Sequence, residues 1–251
     1  MFETVAKQSL SEAVFDQLRS RIISGDLSAG DELPSERILC EMLGVNRGAV
    51  REGIKRLQQA GLVQVRHGGP TLVLNFEQEA GLEMLPALMI DEEGNMRVEV
   101  ARGIISLREN LAPSVARQAA NRTQAATADR LDTLLNQMRE TDDIEQLQDL
   151  VFGFWDALVQ GSGNIAYKLA FNSLRKTYKK IWGLLTQTLA AEFRDIDNLS
   201  QLAKAIRHGK AEEAEAAAKA HVAIGSEAMN QVLDAYESGQ SKAFSQLNSV
   251  E

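Results

Sequence analysis

One cysteine, three histidines and four prolines are all that 251 residues hold of these types, and each scarcity excludes something. Cys40 has no partner for an internal disulfide, which suits a reducing compartment. His67, His208 and His221 are scattered along the chain, so no nucleophile–base pairing stands out and no enzyme is expected. No apolar run approaches the roughly 20 residues of a membrane span. The start, Met1-Phe2-Glu3-Thr4, lacks the basic-then-apolar layout of a signal peptide. Internal repeats and low-complexity linkers are absent too. These absences lead us to expect a cytoplasmic globular protein.

What is present divides in two. The formal net charge is −8, yet residues 1–74 carry nine basic and nine acidic side chains, so the whole excess lies beyond them. Up to Leu74 the pattern reads as short helices, a Gly/Pro turn and β-branched strand pieces. After Asn75 the chain is rich in Ala, Leu and Glu, with no proline after Pro113. The expected domains are 1–74, a connecting segment with a short helix over 75–97, and an all-α domain over 98–251. An acidic domain repels phosphate, so any nucleic acid should meet the first part.

In that first part, Leu10–Ile23 reads as a helix after the cap Ser9, with Val14, Leu18, Ile22 and Ile23 on one face. A second helix opens around Asp31–Arg37, with Ile38, Leu39 and Leu43 apolar. Gly44-Val45 turns the chain, and Asn46 caps a third helix that runs to Ala60 and stops at Gly61. Leu62–Val65 and Thr71–Leu74 then read as strands around Arg66-His67-Gly68-Gly69-Pro70. Three helices and a hairpin in this order predict a winged helix-turn-helix. On the third helix, Arg47, Arg51 and Lys55 recur at i, i+4 and i+8, opposite Val50, Ile54 and Leu57. One face is aliphatic and the other cationic.

Beyond Asn75 we predict a short helix near Gly81–Ile90, then helices over Val98–Asn121, Thr123–Arg139, Ile144–Gly161, Ala166–Leu189, Asp197–His208 and Ala211–Tyr236. Ser162-Gly163-Asn164 and His208-Gly209-Lys210 are short connections, which imply an antiparallel α-helical bundle. The fold class is therefore mainly α.

Pro34-Ser35-Glu36-Arg37, Leu43-Gly44-Val45, Arg47, Val50-Arg51-Glu52, Leu57 and Gly61-Leu62-Val63 resemble the DNA-binding domain of GntR-family transcriptional regulators. The wing Arg66–Thr71 followed by Asn75-Phe76 is similar to that of the fatty-acid-responsive members of the FadR subfamily. Leu107-Arg108-Glu109, Pro113, Ala116-Arg117, Ala119-Ala120, Ser162-Gly163-Asn164 and Ala205-Ile206 before Gly209 resemble the FadR-type, or FCD, effector domain. The resemblance implies operator DNA as a partner, with Arg37, Arg47 and Arg51 in the major groove and His67 with Gly68 in the minor groove. Asn46 and Lys55 flank these contacts. Gly48, Ala49 and Gly69 depart from the fatty-acid regulators, so the operator sequence should differ from theirs. It also implies a homodimer, because one recognition helix reads few bases and two-fold pairing doubles the readout.

Many FCD domains bind a divalent metal through Asp-x-x-x-His and two later histidines. The equivalent positions here are Val151, Trp155, Leu199 and His221, and one imidazole cannot hold a transition metal. No metal cofactor is expected. The resemblance instead implies a greasy effector near Arg108, Trp155, Leu199 and His221. Fatty-acid-responsive members lack the metal and bind long-chain acyl-CoA, which makes that the leading candidate. Against it, Ala220 and Ala223 replace the Gly and Ser by which their last helix approaches the ligand. A different organic acid, or a DNA-organising protein without effector, are the alternatives. Arg108 reads either as a clamp for carboxylate or phosphate, or as the partner of an acid such as Glu109 or Asp156. His221 reads as a ligand contact or a core histidine. Arg175, Lys176, Lys179 and Lys180 read as a solvated face or a grip for CoA phosphates.

Overall fold

The computed structural model describes residues 9–239 except 67, 92, 93, 123 and 181–185, with the side chains at 179 and 180 also outside the description. The chain divides into two compact units between Glu93 and Gly94.

In the first unit, helix starts are set by short polar residues. Ser9 caps α1 (Leu10–Ile23), Ser35 caps α2 (Glu36–Leu43) and Asn46 caps α3 (Arg47–Gln59). Asn46 Oδ1 accepts from the Ala49 amide at 2.9 Å, satisfying a donor with no intrahelical partner. Gly44 closes α2 at φ +64°, so only three residues separate α2 from α3. Val14, Leu18 and Ile22 of α1, Leu39 of α2, and Val50, Ile54 and Leu57 of α3 share one core. Ile38, expected on the apolar face of α2, is instead exposed.

The hairpin closes this core. β1 (Val63–Val65) and β2 (Thr71–Val73) run antiparallel with Val63 opposite Val73, both buried. The chain before α2 adds to it: the Leu33 amide donates to Thr71 O at 2.8 Å and the Val73 amide to Asp31 O at 2.9 Å. Three short pieces follow: α4 (Phe76–Glu79), a 3-10 turn (Leu82–Met84) and α5 (Leu85–Leu88). The short helix expected near Gly81–Ile90 is the 3-10 turn followed by α5, and α4 precedes it. Phe76, Met84, Ala87 and Leu88 pack into the core of the first unit. The return is tight enough that a Cβ on Gly61, at φ +71°, would lie 2.7 Å from Glu79 O.

The second unit is a bundle of α6 (Val98–Arg122), α7 (Ala125–Arg139), α8 (Ile144–Ser162), α9 (Ile165–Lys180), α10 (Ala190–Phe193), α11 (Ile196–Arg207) and α12 (Ala211–Glu237). The predicted helix Ala166–Leu189 is a helix as far as Lys180; 181–185 lie outside the described residues, 186–188 are helical, and α10 begins after Leu189. The two longest helices, α6 and α12, pack along one another. Their buried faces carry Ala112, Ala116, Ala119 and Ala120 on one side and Ala214, Ala217 and Ala218 on the other. Small side chains let the two backbones approach closely. Gly163 and Gly209, at φ +62° and +67°, terminate α8 and α11 and reverse the chain into its neighbours. Among the described residues no helix is long and apolar enough to cross a membrane.

A polar bond ties α11 to α12 inside this bundle. Asp195 caps α11, and its Oδ2 accepts from Asn198 Nδ2 at 2.8 Å and from His221 Nδ1 at 3.0 Å. Burial pushes the Asp195 carboxyl up, but the bonds from His221 and Asn198 outweigh it and leave the group below its ordinary value. A carboxyl held low when folded binds fewer protons than in the unfolded chain. Its stabilisation is complete above the unfolded value, about 3.9, and is lost as pH falls through the folded one. Asn keeps the cap without titrating. Urea midpoints measured from pH 7 to pH 3 should therefore fall more steeply for the wild type than for Asp195→Asn; parallel curves would remove Asp195 from the acid limb.

Candidate functional site

The cationic face of α3 is free. Arg47, Arg51 and Lys55 are exposed, while Val50, Ile54 and Leu57 anchor the opposite face at 0, 7 and 0% exposure. Among the described residues no ion pair holds Arg47 or Lys55. Arg51 lies 3.5 Å from Glu36 of α2, and Arg37 lies 2.7 Å from Glu41 one turn along its helix. The sequence pattern missed both acids as partners. Exposed pairs of this kind are worth about 0–1 kcal/mol, so a phosphate or a base edge can displace them at little cost. Arg56 lies off the stripe, over the Phe15 ring opposite Arg19. Asn46 is exposed but spends its oxygen on the cap, leaving its amide nitrogen for an outside acceptor.

At the hairpin tip the Gly69 amide donates to Arg66 O at 3.1 Å. Gly68 is exposed at φ +72° with nothing within 4 Å of where a Cβ would stand. His67 lies outside the described residues. The tip is thus slim enough to enter a narrow groove.

In the second unit, α6, α8, α9, α10 and α12 line a cavity of about 60 Å³. That is smaller than the roughly 300–1,000 Å³ of small-molecule pockets, so a ligand of that size has to widen it. Val115, Val151, Trp155, Phe171, Leu174 and Phe193 supply apolar wall, and Trp155 is the predicted effector residue that falls there together with Arg108. Trp182 lies outside the described residues.

Three polar side chains interrupt the wall. Arg108 is paired with Glu192, which is only 2% exposed, and Tyr178 stands beside them. Burial works against the Arg108 charge, but Glu192 more than offsets it and raises the guanidinium pKa. Burial pushes the Tyr178 hydroxyl up, against the pull of Arg108. Arg108 Nη1, Glu192 Oε2 and Tyr178 Oη have no hydrogen-bond partner among the described residues. The expected acid partners of Arg108 were Glu109 and Asp156; Asp156 instead pairs with Lys168. Arg175 is exposed at the edge of the same cavity and Lys176 is exposed, while the side chains at 179 and 180 are outside the description.

His221 is fully buried, its Nδ1 committed to Asp195 and its Nε2 facing Glu192 Oε1 at 3.7 Å. The Trp155 and His221 rings lie 6.0 Å apart. His221 and the fully buried Leu199, one turn along α11 from Asp195, are not part of the cavity lining. With Val151, Trp155 and Leu199 offering no donor atoms suited to a divalent ion, these positions do not fit a metal. Among the described residues no group of three His, Cys, Asp or Glu is placed to hold one.

Comparison with known proteins agrees with this division. Residues 10–73 match the family described as bacterial regulatory proteins, gntR family, and residues 103–224 match the FCD domain. The HTH-type transcriptional regulator Mce2R of Mycobacterium tuberculosis is 35% identical over 238 residues, covering 95% of this chain and 99% of the relative. The fatty acid metabolism regulator protein of Edwardsiella ictaluri is 31% identical over 156 residues, covering 61% and 62%. Among solved structures, Lar, which controls the agr system of Listeria monocytogenes, aligns at a TM-score of 0.56 and 15% identity, covering 92% and 99%. The chain belongs to the GntR family of bacterial regulatory proteins, as a DNA-binding transcriptional regulator with a C-terminal FCD effector-binding domain.

Proposed function

We propose that this chain acts as a cytoplasmic homodimer on a two-fold operator and that an effector with an apolar tail, held in the cavity of the FCD domain, controls its affinity for DNA. The observation that carries the DNA half is the exposed stripe Arg47, Arg51, Lys55 on a helix anchored from behind. Arg47 and Arg51 read guanine edges, where a bidentate guanidinium distinguishes bases. Arg37 joins them in the major groove, Asn46 and Lys55 set the register on the backbone, and His67 and Gly68 follow the minor groove. The protein acts by binding and not by catalysis, in keeping with relatives named as regulators.

The effector half rests on the apolar cavity lined by Trp155 with Arg108 in its wall. An acyl chain suits such walls, and long-chain acyl-CoA or a free apolar acid both supply one. Relatives named fatty acid metabolism regulators add weight to the acyl class. Leu199 and His221 serve the effector from behind the lining, by supporting Glu192 and the α11–α12 contact.

Against an operator fragment selected from random DNA by the wild type, Arg47→Ala and Arg51→Ala should each lose about 1–3 kcal/mol, roughly 5- to 150-fold in Kd. Fluorescence anisotropy at fixed salt reads this, with Arg130→Ala, an exposed arginine of α7, as the unchanged control. Wild-type affinity in both α3 variants would contradict the reading. In the cavity, Val151→Phe on α8 fills the space an acyl tail needs. Calorimetric titration with palmitoyl-CoA and with palmitate should show at least one of the two binding to the wild type and neither to this variant, whose operator affinity without ligand stays intact.

A further inference from the structure

Glu192 lies in the cavity wall, and the fold has made room for it there. Its carboxylate is buried in the cavity wall against Arg108, with Oε2 unpartnered. Across from it lies Gly225, in the middle of the 27-residue α12. A methyl group at Gly225 would stand inside the van der Waals radius of Glu192 Oε2 and 2.8 Å from Leu189 Cδ2. Glycine inside a helix is destabilising by about 0.5–1 kcal/mol relative to alanine, so its presence here calls for a reason. The reason visible is the Glu192 carboxylate. Glu192 itself rides on α10, a helix of only four residues that also brings Leu189 and Phe193 to the cavity.

From this geometry we infer that Glu192 is an internal stand-in for the ligand's carboxylate: the effector is an apolar monocarboxylic acid whose head takes Arg108 and Tyr178 by displacing Glu192. The inference rests on the proposed apolar-effector cavity and specifies its polar end. Among the described residues Arg108 Nη1 and Tyr178 Oη are both without hydrogen-bond partners, and a two-oxygen head can accept from the two at once. Charge decides between the acid and its thioester. Removing Glu192 and replacing it with a neutral thioester carbonyl would leave a buried guanidinium uncompensated, which is strongly disfavoured. An anion exchanged for an anion keeps the wall neutral. Displacement also turns α10 out of its place, so that Leu189 and Phe193 move with the ligand's arrival. That is how occupancy of the cavity is converted into a change of shape in the bundle.

The test uses the full chain and compares dodecanoate, its methyl ester and dodecanoyl-CoA by calorimetry and thermal unfolding. Glu192→Gln removes the competing charge and Gly225→Ala evicts the carboxylate by a separate route, so either variant suffices if the other fails to fold. Both should bind dodecanoate at least about tenfold more tightly than the wild type, because the competent state no longer has to be won from an occupant. In Glu192→Gln the acid should restore a lowered unfolding temperature, whereas the ester should not. Equal dodecanoate affinity in wild type and both variants overturns the displacement while leaving the apolar cavity standing. Preference of all three proteins for the ester or the thioester overturns it as well. Absence of binding by any of the three compounds overturns the effector reading itself.

Discussion

A guanidinium lodged in an apolar wall cannot stand alone, and much of the bundle is arranged around that requirement. Arg108 is drawn into the interior on α6, and Glu192 is brought to it from 84 residues away on a single turn of helix. Glu192 in turn needs the missing side chain at Gly225, and its other face looks onto His221, whose ring is fixed through Nδ1 by Asp195. Asp195 also starts α11. The Arg108–Glu192 pair thus links α6 to α10 and the Asp195–His221 bond links α11 to α12, with His221 Nε2 facing Glu192 between them. Pairs like Arg108–Glu192 seldom add net stability over an apolar equivalent, because desolvation consumes the Coulomb gain. Retaining one, with three polar atoms left unsatisfied around it, sets a cost that a purely structural core has no cause to bear.

The first unit solves an opposite problem. Its charges must face outward and stay available, so its fixed parts are aliphatic. α3 is pinned by Val50 and Leu57 at 0% exposure against α1, and every cation on its other side is either free or lightly held by an exposed acid. The hairpin is held by the Leu33 and Val73 amides, so the wing and the entrance of α2 move as one piece with the core. Rigidity behind and freedom in front are what base reading needs, since groove contacts tolerate little misplacement.

Local signals were readable in the sequence because their causes are local. Ser9, Asn46, Gly61, Gly163 and Gly209 each start or stop a helix through their own backbone or side chain, and the structure places them so. The stripe of Arg47, Arg51 and Lys55 was legible for the same reason: periodicity fixes which residues share a face. The cavity's polar end was not legible. Glu109, a sequence neighbour of Arg108, points elsewhere because adjacent helical residues do not share a face. Asp156 is neutralised by Lys168 one helix further on. Glu192 stands in Ala-Ala-Glu-Phe, four residues too few to show a period, in what read as the connection between two predicted helices. His221 was visible only as the remainder of a ligand set, whereas the structure gives it Asp195. The bridge from the chain before α2 to β2 left no pattern at all, since a few backbone bonds need no particular side chain.

What an effector can do to such a protein is limited by the difference in its affinity for two shapes. If the head of the ligand merely replaces one carboxylate by another, the exchange at Arg108 is close to neutral and cannot drive anything. The driving force then has to come from the tail, at about 25 cal/mol for each Å² of apolar surface withdrawn from water. On the proposed reading the cavity wall would divide the labour accordingly: Val151, Trp155 and Phe171 would supply the gain, while Arg108 and Tyr178 would determine which molecules collect it. A tail without an acid head leaves Glu192 in place and α10 unmoved, and an acid without a tail has too little to gain to move it. On that proposal selectivity and switching would reside in the same carboxylate, with the glycine opposite it on α12 making room for it.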